Sequence, residues 1–253
     1  MKKIVPLVLI FFSIFFFDYS WAKTGVNPLF NEANSFYKQN KYDEAITAYE
    51  KIIRQGLGSG NLYYNLGNSY FKKGLLGKAV LNYERAKAFI PSDSDLKSNY
   101  EYALSAAGVS SALSGHWFLL WLDRLFEGLG FNALTIFVSV VYALFFLFLM
   151  LNMFFNSWHK FSKPLLWVLI LLGVLAALSL QRRITWLNKG AVVISKEAEA
   201  KFEPTENATT YFKLTEGSRL EIIESSMNWD KIKRLDGKIG WVNKANIENI
   251  AVK

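Results

Sequence analysis

The sequence predicts a multidomain membrane protein that combines all-α helix-hairpin repeats, a two-helix transmembrane hairpin and a small all-β barrel. Three observations support this prediction. The N-terminal half matches itself at an offset of 34 residues, which is typical of helical repeats. Two long apolar stretches follow in the middle of the chain. Residues 190–253 then change to short aliphatic runs broken by Gly, Asn and Asp, which is typical of small all-β domains.

The N-terminus has the three parts of a secretory signal peptide. Two lysines follow Met1, an apolar run extends from Ile4 to Phe17, and the small residues Ser20 and Ala22 end the segment. We therefore expect residues 1–22 to be a signal peptide that is cleaved after Ala22. An uncleaved membrane anchor is the alternative. Both interpretations predict that the residues that follow are exported.

The internal repeat consists of similar residues that stand 34 positions apart. The matching pairs are Leu29/Tyr63, Ala33/Gly67, Phe36/Tyr70, Ala45/Ala79, Tyr49/Tyr83 and Glu50/Glu84. The second copy resembles the tetratricopeptide repeat family through Tyr63, Leu66, Gly67, Tyr70, Ala79, Tyr83, Ala86 and Pro91. This resemblance implies two antiparallel helices per repeat, whose small residues let the helix backbones approach each other. We expect a repeat domain over residues 23–107, with repeats at 26–59 and 60–93 and a capping helix at 94–107.

A second set of matches lies along one face of the first helix of each repeat. Its members are candidate partner-binding residues: Asn27, Phe30, Asn34 and Tyr37, which recur as Asn61, Tyr64, Asn68 and Phe71. In tetratricopeptide domains the matching positions line a concave groove, where Asn bonds to a peptide backbone and aromatic side chains hold its side chains. The alternative is that these aromatic side chains only pack against neighbouring helices. Phe30 and Ser98 stand where a carboxylate-binding groove requires Lys, which argues against that form of recognition.

The middle of the chain predicts two membrane-spanning helices, at residues 131–155 and 164–187, because each stretch is almost uninterruptedly apolar. Pro164 fits the first turn of the second helix. The loop at 156–163 contains two lysines and no acid, which favours the cytoplasm. Residues 108–130 include two tryptophans, and the charged residues of this segment are grouped after them. This pattern predicts an interfacial amphipathic segment.

The C-terminal segment, residues 190–253, resembles the bacterial SH3-like family. The resemblance rests on Leu214–Gly217, Leu220–Ile222, Trp229, Asp236-Gly237 and Gly240-Trp241-Val242. It implies a barrel in which Asp-Gly closes a hairpin and Gly-Trp-Val begins the next strand. It also implies binding of peptides or cell-wall stem peptides. The aromatic residues available for that surface are Tyr211, Phe212, Trp229 and Trp241. The alternative is that the two tryptophans chiefly close the barrel.

Several classes of chemistry lack the residues that they require. The chain has no cysteine, and its two histidines, His116 and His159, lie around the membrane segments. Cysteine nucleophiles, Ser-His-Asp sites and zinc sites with His or Cys ligands are therefore excluded from the exported domains. A glycine-rich phosphate-binding loop is also absent from the sequence. We expect a protein that is not an enzyme and that has no catalytic residues, no metal and no cofactor.

The net charge of +8 is concentrated around the membrane segments. Residues 108–189 contain six basic and two acidic residues, which is half of the excess, whereas residues 190–253 contain ten of each. This distribution indicates anionic lipid headgroups and membrane topology as its cause. We therefore expect a membrane partner and no nucleic acid.

The complete arrangement resembles the Bacteroides aerotolerance (Bat) family. The resemblance implies a non-enzymatic component of the bacterial inner membrane that passes the membrane twice, with both domains extracytoplasmic. It also implies that the protein functions together with von Willebrand factor A-domain membrane proteins and a MoxR-type ATPase, in envelope stress or oxygen tolerance. The leading hypothesis is a scaffold that binds an exported partner through the groove and a second partner or the cell wall through the SH3-like domain. The rival hypothesis is a cell-wall sensor that binds peptidoglycan.

Overall fold

The computed structural model describes residues 28–109, 117–154 and 159–251. The predicted signal peptide and Asn27 lie outside the described residues. The α-helices in the described ranges are α1 Pro28–Lys38, α2 Tyr42–Arg54, α3 Gly60–Lys72, α4 Leu76–Phe89, α5 Ser94–Ala106, α6 Trp117–Leu125, α7 Phe131–Phe154 and α8 His159–Lys189. The strands are β1 Gly190–Val193, β2 Glu197–Lys201, β3 Thr210–Thr215, β4 Arg219–Ser226, β5 Trp229–Arg234, β6 Ile239–Asn243 and β7 Ile247–Asn249, with a 3-10 turn at Lys244–Asn246.

Helices α1 to α5 form the helical repeat region that the 34-residue offset predicts. Helix α1 packs on α2 and α3 packs on α4, while α5 covers the end of the stack. Ala45 and Ala79 are fully buried where the helices meet. Gly67 permits an even closer approach, because a Cβ at this position would lie 2.7 Å from the ring of Tyr83. The small residues and the aromatic residues of the repeat therefore fill one continuous core.

Local sequence signals set the ends of these helices. Asn40 and Gly74 adopt positive φ values of 60° and 71° in the turns that join the two helices of each pair. Ser59 accepts a hydrogen bond from the Leu62 backbone N–H at the start of α3. Asp93 likewise accepts from the Leu96 N–H at 2.8 Å at the start of α5. These caps fix where α3 and α5 begin.

Helices α7 and α8 are long and apolar enough to cross a membrane. The apolar spans are Phe131–Asn152 and Lys163–Lys189, and only 17% and 11% of their most apolar windows are buried inside the protein. Helix α8 begins at His159, so Pro164 lies inside the helix and not in its first turn as we expected. A proline near a helix end removes a single backbone hydrogen bond, which explains why the helix extends past it.

Two arginines near the end of α8 hold the segment that precedes α7. Arg182 forms a bidentate ion pair with Asp123 of α6, in which Nη2 donates to Oδ2 at 2.8 Å and Nε donates to Oδ1 at 3.2 Å. The guanidinium of Arg183 donates to the backbone carbonyls of Phe126 and Leu129. Helix α6 is thus attached to the same end of α8 that leads into the β domain.

The C-terminal domain is an antiparallel all-β sheet, as the sequence predicts. Its seven strands follow the order β3-β2-β6-β5-β4-β1-β7. The turn between β5 and β6 contains Asp236 and Gly237, and Gly237 has a φ of +90°. The barrel is not confirmed, because β3 and β7 stand at opposite edges of the ladder and the described sheet does not close.

The helical and β domains share a hydrophobic core. Val192 and Ile250 of the β domain are fully buried among the residues of the helical repeats. Gly77 of α4 touches the β domain so closely that a Cβ there would lie 2.3 Å from the Val193 carbonyl oxygen. Arg85 donates to the Asn249 carbonyl at 2.8 Å and pairs with Glu248 at 3.0 Å. The two domains therefore pack directly on each other.

Candidate functional site

The predicted groove residues meet at a small hollow on the helical repeats, which we call the groove hollow. Its volume is about 290 Å³. The residues that line it are Tyr37, Asn68, Phe71, Lys72, Tyr83, Asn99 and Tyr102. The candidate residues Tyr37, Asn68 and Phe71 therefore come together from two successive repeats. Lys72, Tyr83, Asn99 and Tyr102 are lining residues outside the predicted set.

The side-chain oxygens of Asn34 and Asn68 hold neighbouring repeats together. Asn68 Oδ1 accepts from the Tyr83 hydroxyl at 2.7 Å and from Asn99 Nδ2 at 3.0 Å. Asn34 Oδ1 has the same arrangement one repeat earlier, with Tyr49 at 2.6 Å and Asn65 at 2.9 Å. Each oxygen thus joins the second helix of its own repeat to the helix that follows that repeat, which is α3 for Asn34 and α5 for Asn68.

This arrangement restricts what the two asparagines contribute to binding. An amide oxygen has two lone pairs, and both are engaged at Asn34 and Asn68. Their amide N–H groups have no acceptor among the described residues and remain as the donors for a ligand. The partners Asn65 and Asn99 were missed in the sequence, although they also stand 34 residues apart, because their type gives no sign of a bond between repeats.

The aromatic members of the predicted set divide into two kinds. Phe30 packs on Tyr49 and Tyr64 packs on Tyr83, with ring centroids 6.0 and 6.2 Å apart, so these rings extend the core. Phe71 instead packs on Tyr102 at 5.4 Å, and Tyr102 is 66% exposed. The rim of the groove hollow therefore offers aromatic surface to solvent.

The remaining groove candidates differ in exposure. Asn61 is exposed at the start of α3 and is not one of the residues that line the groove hollow. Tyr37 is half-buried, and its ring meets that of Tyr42 edge-on at 5.6 Å. Burial is the main cause of the raised pKa of the Tyr37 hydroxyl, so this group stays a neutral hydrogen-bond donor.

The aromatic candidates of the β domain do not form one surface patch. Tyr211 is exposed on β3, and its ring packs on that of Phe202 in a tilted arrangement, with ring centroids 4.5 Å apart. Phe212, the next residue, packs under the Arg234 guanidinium at 5.2 Å. Trp229 is buried, with Lys201 over its ring.

Trp241, the fourth aromatic candidate of the β domain, is half-buried on β6. The Lys231 ammonium lies 5.6 Å from the centroid of its ring. Phe202 is an exposed aromatic residue outside the predicted set.

A buried polar cluster connects the helical repeats, helix α8 and the β domain. Glu84 accepts from the Tyr100 hydroxyl and from Trp186 Nε1, the latter at 3.3 Å, and lies 3.6 Å from Arg219. Burial alone would raise the pKa of Glu84, but the charges of Lys87 and Arg219 outweigh it and lower that pKa. Burial, followed by the charge of Glu84, raises the pKa of Tyr100 well above 10.0.

Comparison with known families identifies the helical part of the chain. Residues 30–94 match the tetratricopeptide repeat family. The tetratricopeptide match covers α2, α3 and α4 completely, and α3 and α4 contribute four of the seven residues that line the groove hollow. A search of curated proteins finds no match to the chain. In the described ranges, no group of three or more His, Asp or Glu side chains is placed to hold a metal ion.

Proposed function

We propose that this protein is a non-enzymatic, membrane-tethered scaffold that binds an extended peptide segment of an exported partner in its tetratricopeptide groove. The observation that carries the proposal is the groove hollow, where Tyr37, Asn68 and Phe71 meet inside a region that matches this repeat family. Tetratricopeptide repeats are protein-interaction modules, which supports a protein or peptide as the ligand.

The chemistry of the groove hollow suits a peptide. The amide N–H groups of Asn68 and the ammonium of Lys72 donate hydrogen bonds to backbone carbonyls. Phe71 and Tyr102 form an apolar wall for a side chain. A rigid framework limits the entropy lost on binding, and the bonds that join Asn68 to Tyr83 and Asn99 supply that framework.

The proposed location is the bacterial inner membrane, crossed by α7 and α8, with the helical and β domains together on the extracytoplasmic side. The contact of Arg85 with Glu248 requires both domains to lie on one side, and two spanning helices between them satisfy this requirement. The apolar N-terminal segment and the basic loop between the spans support the same orientation.

For the β domain we propose an SH3-like fold that holds a second partner or the cell wall. The exposed pair Phe202 and Tyr211 supplies an aromatic surface for this role. By resemblance, we propose Bat-type von Willebrand factor A-domain proteins as partners. A peptidoglycan-binding sensor is the second candidate function, and sedimentation of the protein with insoluble peptidoglycan distinguishes the two: retention favours the sensor and no retention leaves the scaffold.

Co-purification from membranes tests the groove. The full chain is tagged, and partner recovery is compared for the native protein, Phe71→Ala and Tyr102→Ala. We expect both variants to lose most of the partner while keeping the thermal unfolding temperature. Leu57→Ala is the control, because Leu57 is 54% exposed and lies outside the groove hollow. Undiminished recovery with both groove variants would remove the proposal.

A further inference from the structure

Helix α6 carries an exposed apolar face beside a buried one. Trp117, Trp121 and Leu125 are 72%, 46% and 50% exposed. They stand four residues apart, so they lie along one side of the helix. Leu122 and Phe126, on a neighbouring side, are buried. Two tryptophans and a leucine in one exposed row form a contiguous apolar surface, which indicates a surface that is covered when the protein is in its native setting.

The buried side of α6 packs on the two membrane-length helices. Leu122 and Phe126 belong to one buried cluster with Leu134 of α7 and Ala176 of α8. Both partner residues lie inside the apolar spans of these helices. The ring of Phe126 also packs on that of Phe137 in α7, with ring centroids 5.9 Å apart. The exposed face of α6 is therefore continuous with the apolar surfaces of α7 and α8.

The charges of α8 show where its apolar part ends. Residues 164–181 contain no charged side chain, so Lys163 and Arg182 are the first charges on either side. An α-helix rises about 28 Å between these two positions, which is close to the thickness of about 30 Å of the hydrocarbon core of a bilayer. Because charges in the hydrocarbon are costly, the two residues fit its two boundaries. Asp123 of α6 pairs with Arg182 at 2.8 Å and lies at the same level.

We propose that α6 lies in the headgroup boundary of the bilayer, with Trp117, Trp121 and Leu125 inserted towards the acyl chains. A tryptophan has a large apolar ring and one polar N–H, and it is enriched at this boundary. Continuity with the spans argues for lipid and against a second protein as the occupant of this face. The proposal rests on the membrane location proposed above.

A boundary at Arg182 has a consequence for the position of the helical repeats. The last two turns of α8 then stand outside the bilayer, and the second span ends before residue 187, where the sequence predicts its end. Trp186, in these two turns, packs against the core of the helical repeats. Ser92, which follows α4, donates to the Gly128 carbonyl in the turn after α6 at 2.8 Å. The end of the repeat stack is therefore held at the membrane surface.

Spin labels in a reconstituted membrane test this arrangement. The chain has no native cysteine, so single cysteines can carry a nitroxide. The full-length protein is placed in vesicles of phosphatidylethanolamine and phosphatidylglycerol. Collision rates of the nitroxide with oxygen, which concentrates in lipid, and with a water-soluble nickel complex are measured by power saturation. Trp121→Cys and Asn188→Cys are compared with a lipid reference, Val174→Cys, and a water reference, Leu57→Cys, all at exposed positions.

We expect the ratio of oxygen to nickel collisions in Trp121→Cys to be severalfold higher than in Leu57→Cys, and Asn188→Cys to match Leu57→Cys. Leu125→Cys repeats the measurement if Trp121→Cys does not fold. A water-like ratio at position 121 with a lipid-like ratio at position 174 overturns the proposal and leaves the spans intact. A water-like ratio at position 174 overturns the membrane location as well.

Two further outcomes also count against the proposal. Low collision rates with both reagents at position 121 would show that protein, such as a second copy of the chain, covers this face of α6. A lipid-like ratio at position 188 would show that the boundary does not lie at Arg182.

Discussion

Glu84 of the helical repeats and Arg219 of the β domain form an ion pair of 3.6 Å whose side chains are only 5% and 6% exposed. The two groups come from separate domains, and Trp186 at the end of helix α8 donates to the same carboxylate. The cluster therefore joins the proposed binding module to the end of a membrane-length helix and to the sheet. Removal of Glu84 leaves the Arg219 guanidinium buried without a carboxylate partner among the described residues.

The first prediction concerns this ion pair. We expect Glu84→Gln to destabilise the fold by about 3–5 kcal/mol, because Arg219 loses its counter-charge. The glutamine also has a single acceptor oxygen, so either the Tyr100 hydroxyl or Trp186 Nε1 faces an NH2 donor instead of an acceptor. For a protein of this size the unfolding temperature should fall by roughly 10 °C. Thermal unfolding of the detergent-purified protein, followed by circular dichroism, measures the change.

The double variant Glu84→Gln/Arg219→Met is the control for that measurement. Because it removes both charges, it should recover much of the lost unfolding temperature. A double variant that is less stable than Glu84→Gln alone would show that the charge of Arg219 is compensated by other groups.

The second prediction is a loss of stability in acid that depends on Glu84. The pKa of this carboxyl is lowered from 4.5, since the charges of Lys87 and Arg219 outweigh the effect of burial. Its stabilising contribution is therefore complete above pH 4.5 and is lost as the pH falls through the lower, folded-state pKa. Unfolding temperatures between pH 3 and 7 should fall less steeply for Glu84→Gln than for the native protein. Parallel curves would contradict this role of Glu84.

The third prediction separates structure from binding at the groove asparagines. Asn68→Ala should cost about 1–3 kcal/mol, because the Tyr83 hydroxyl and the Asn99 amide both lose their acceptor. Asn61→Ala, at an exposed position of the same helix, should change stability by less than about 0.5 kcal/mol. Denaturant unfolding of both variants measures the difference, and equal stability of the two would refute the proposed role of Asn68.

The fourth prediction concerns the orientation in the membrane. The chain has no native cysteine, so single cysteines report their own accessibility. Glu101→Cys in α5 and Lys238→Cys between β5 and β6 should react with a membrane-impermeant maleimide in intact spheroplasts. Lys163→Cys, at the start of the second span, should react only after lysis. Opposite labelling of positions 101 and 238 would rule out a shared side.

The helical repeats and the two membrane-length helices could be predicted because their signals are local. Residues 34 positions apart, such as Tyr49 and Tyr83, reveal the repeat, and an uninterrupted apolar run reveals each span. The β domain was predicted from hairpin signals such as Asp236-Gly237. Closure into a barrel was not confirmed, since closure depends on pairing between distant edge strands.

The contacts between domains could not be predicted from the sequence. Arg85 and Glu248 are 163 positions apart, and neither residue type indicates its partner. Of the predicted groove residues, Tyr37, Asn68 and Phe71 meet at the groove hollow, and their role in binding stays a prediction. Which groove side chains are structural and which are exposed depends on the three-dimensional geometry. Asn99 of α5, a helix outside the two repeats, donates a hydrogen bond to Asn68. Tyr102 of the same helix completes the aromatic rim of the groove hollow.

Photocrosslinking at position 102 tests the central claim most directly. The full chain, with p-benzoylphenylalanine in place of Tyr102, is irradiated in native membranes, and the crosslinked product is analysed by mass spectrometry. The scaffold proposal predicts a discrete crosslink to another protein, and its loss when Phe71→Ala is added. The same photoreactive residue at Leu57, exposed outside the groove hollow, should give no such product. Crosslinks of equal yield at both positions, or none at position 102, would contradict binding in the groove.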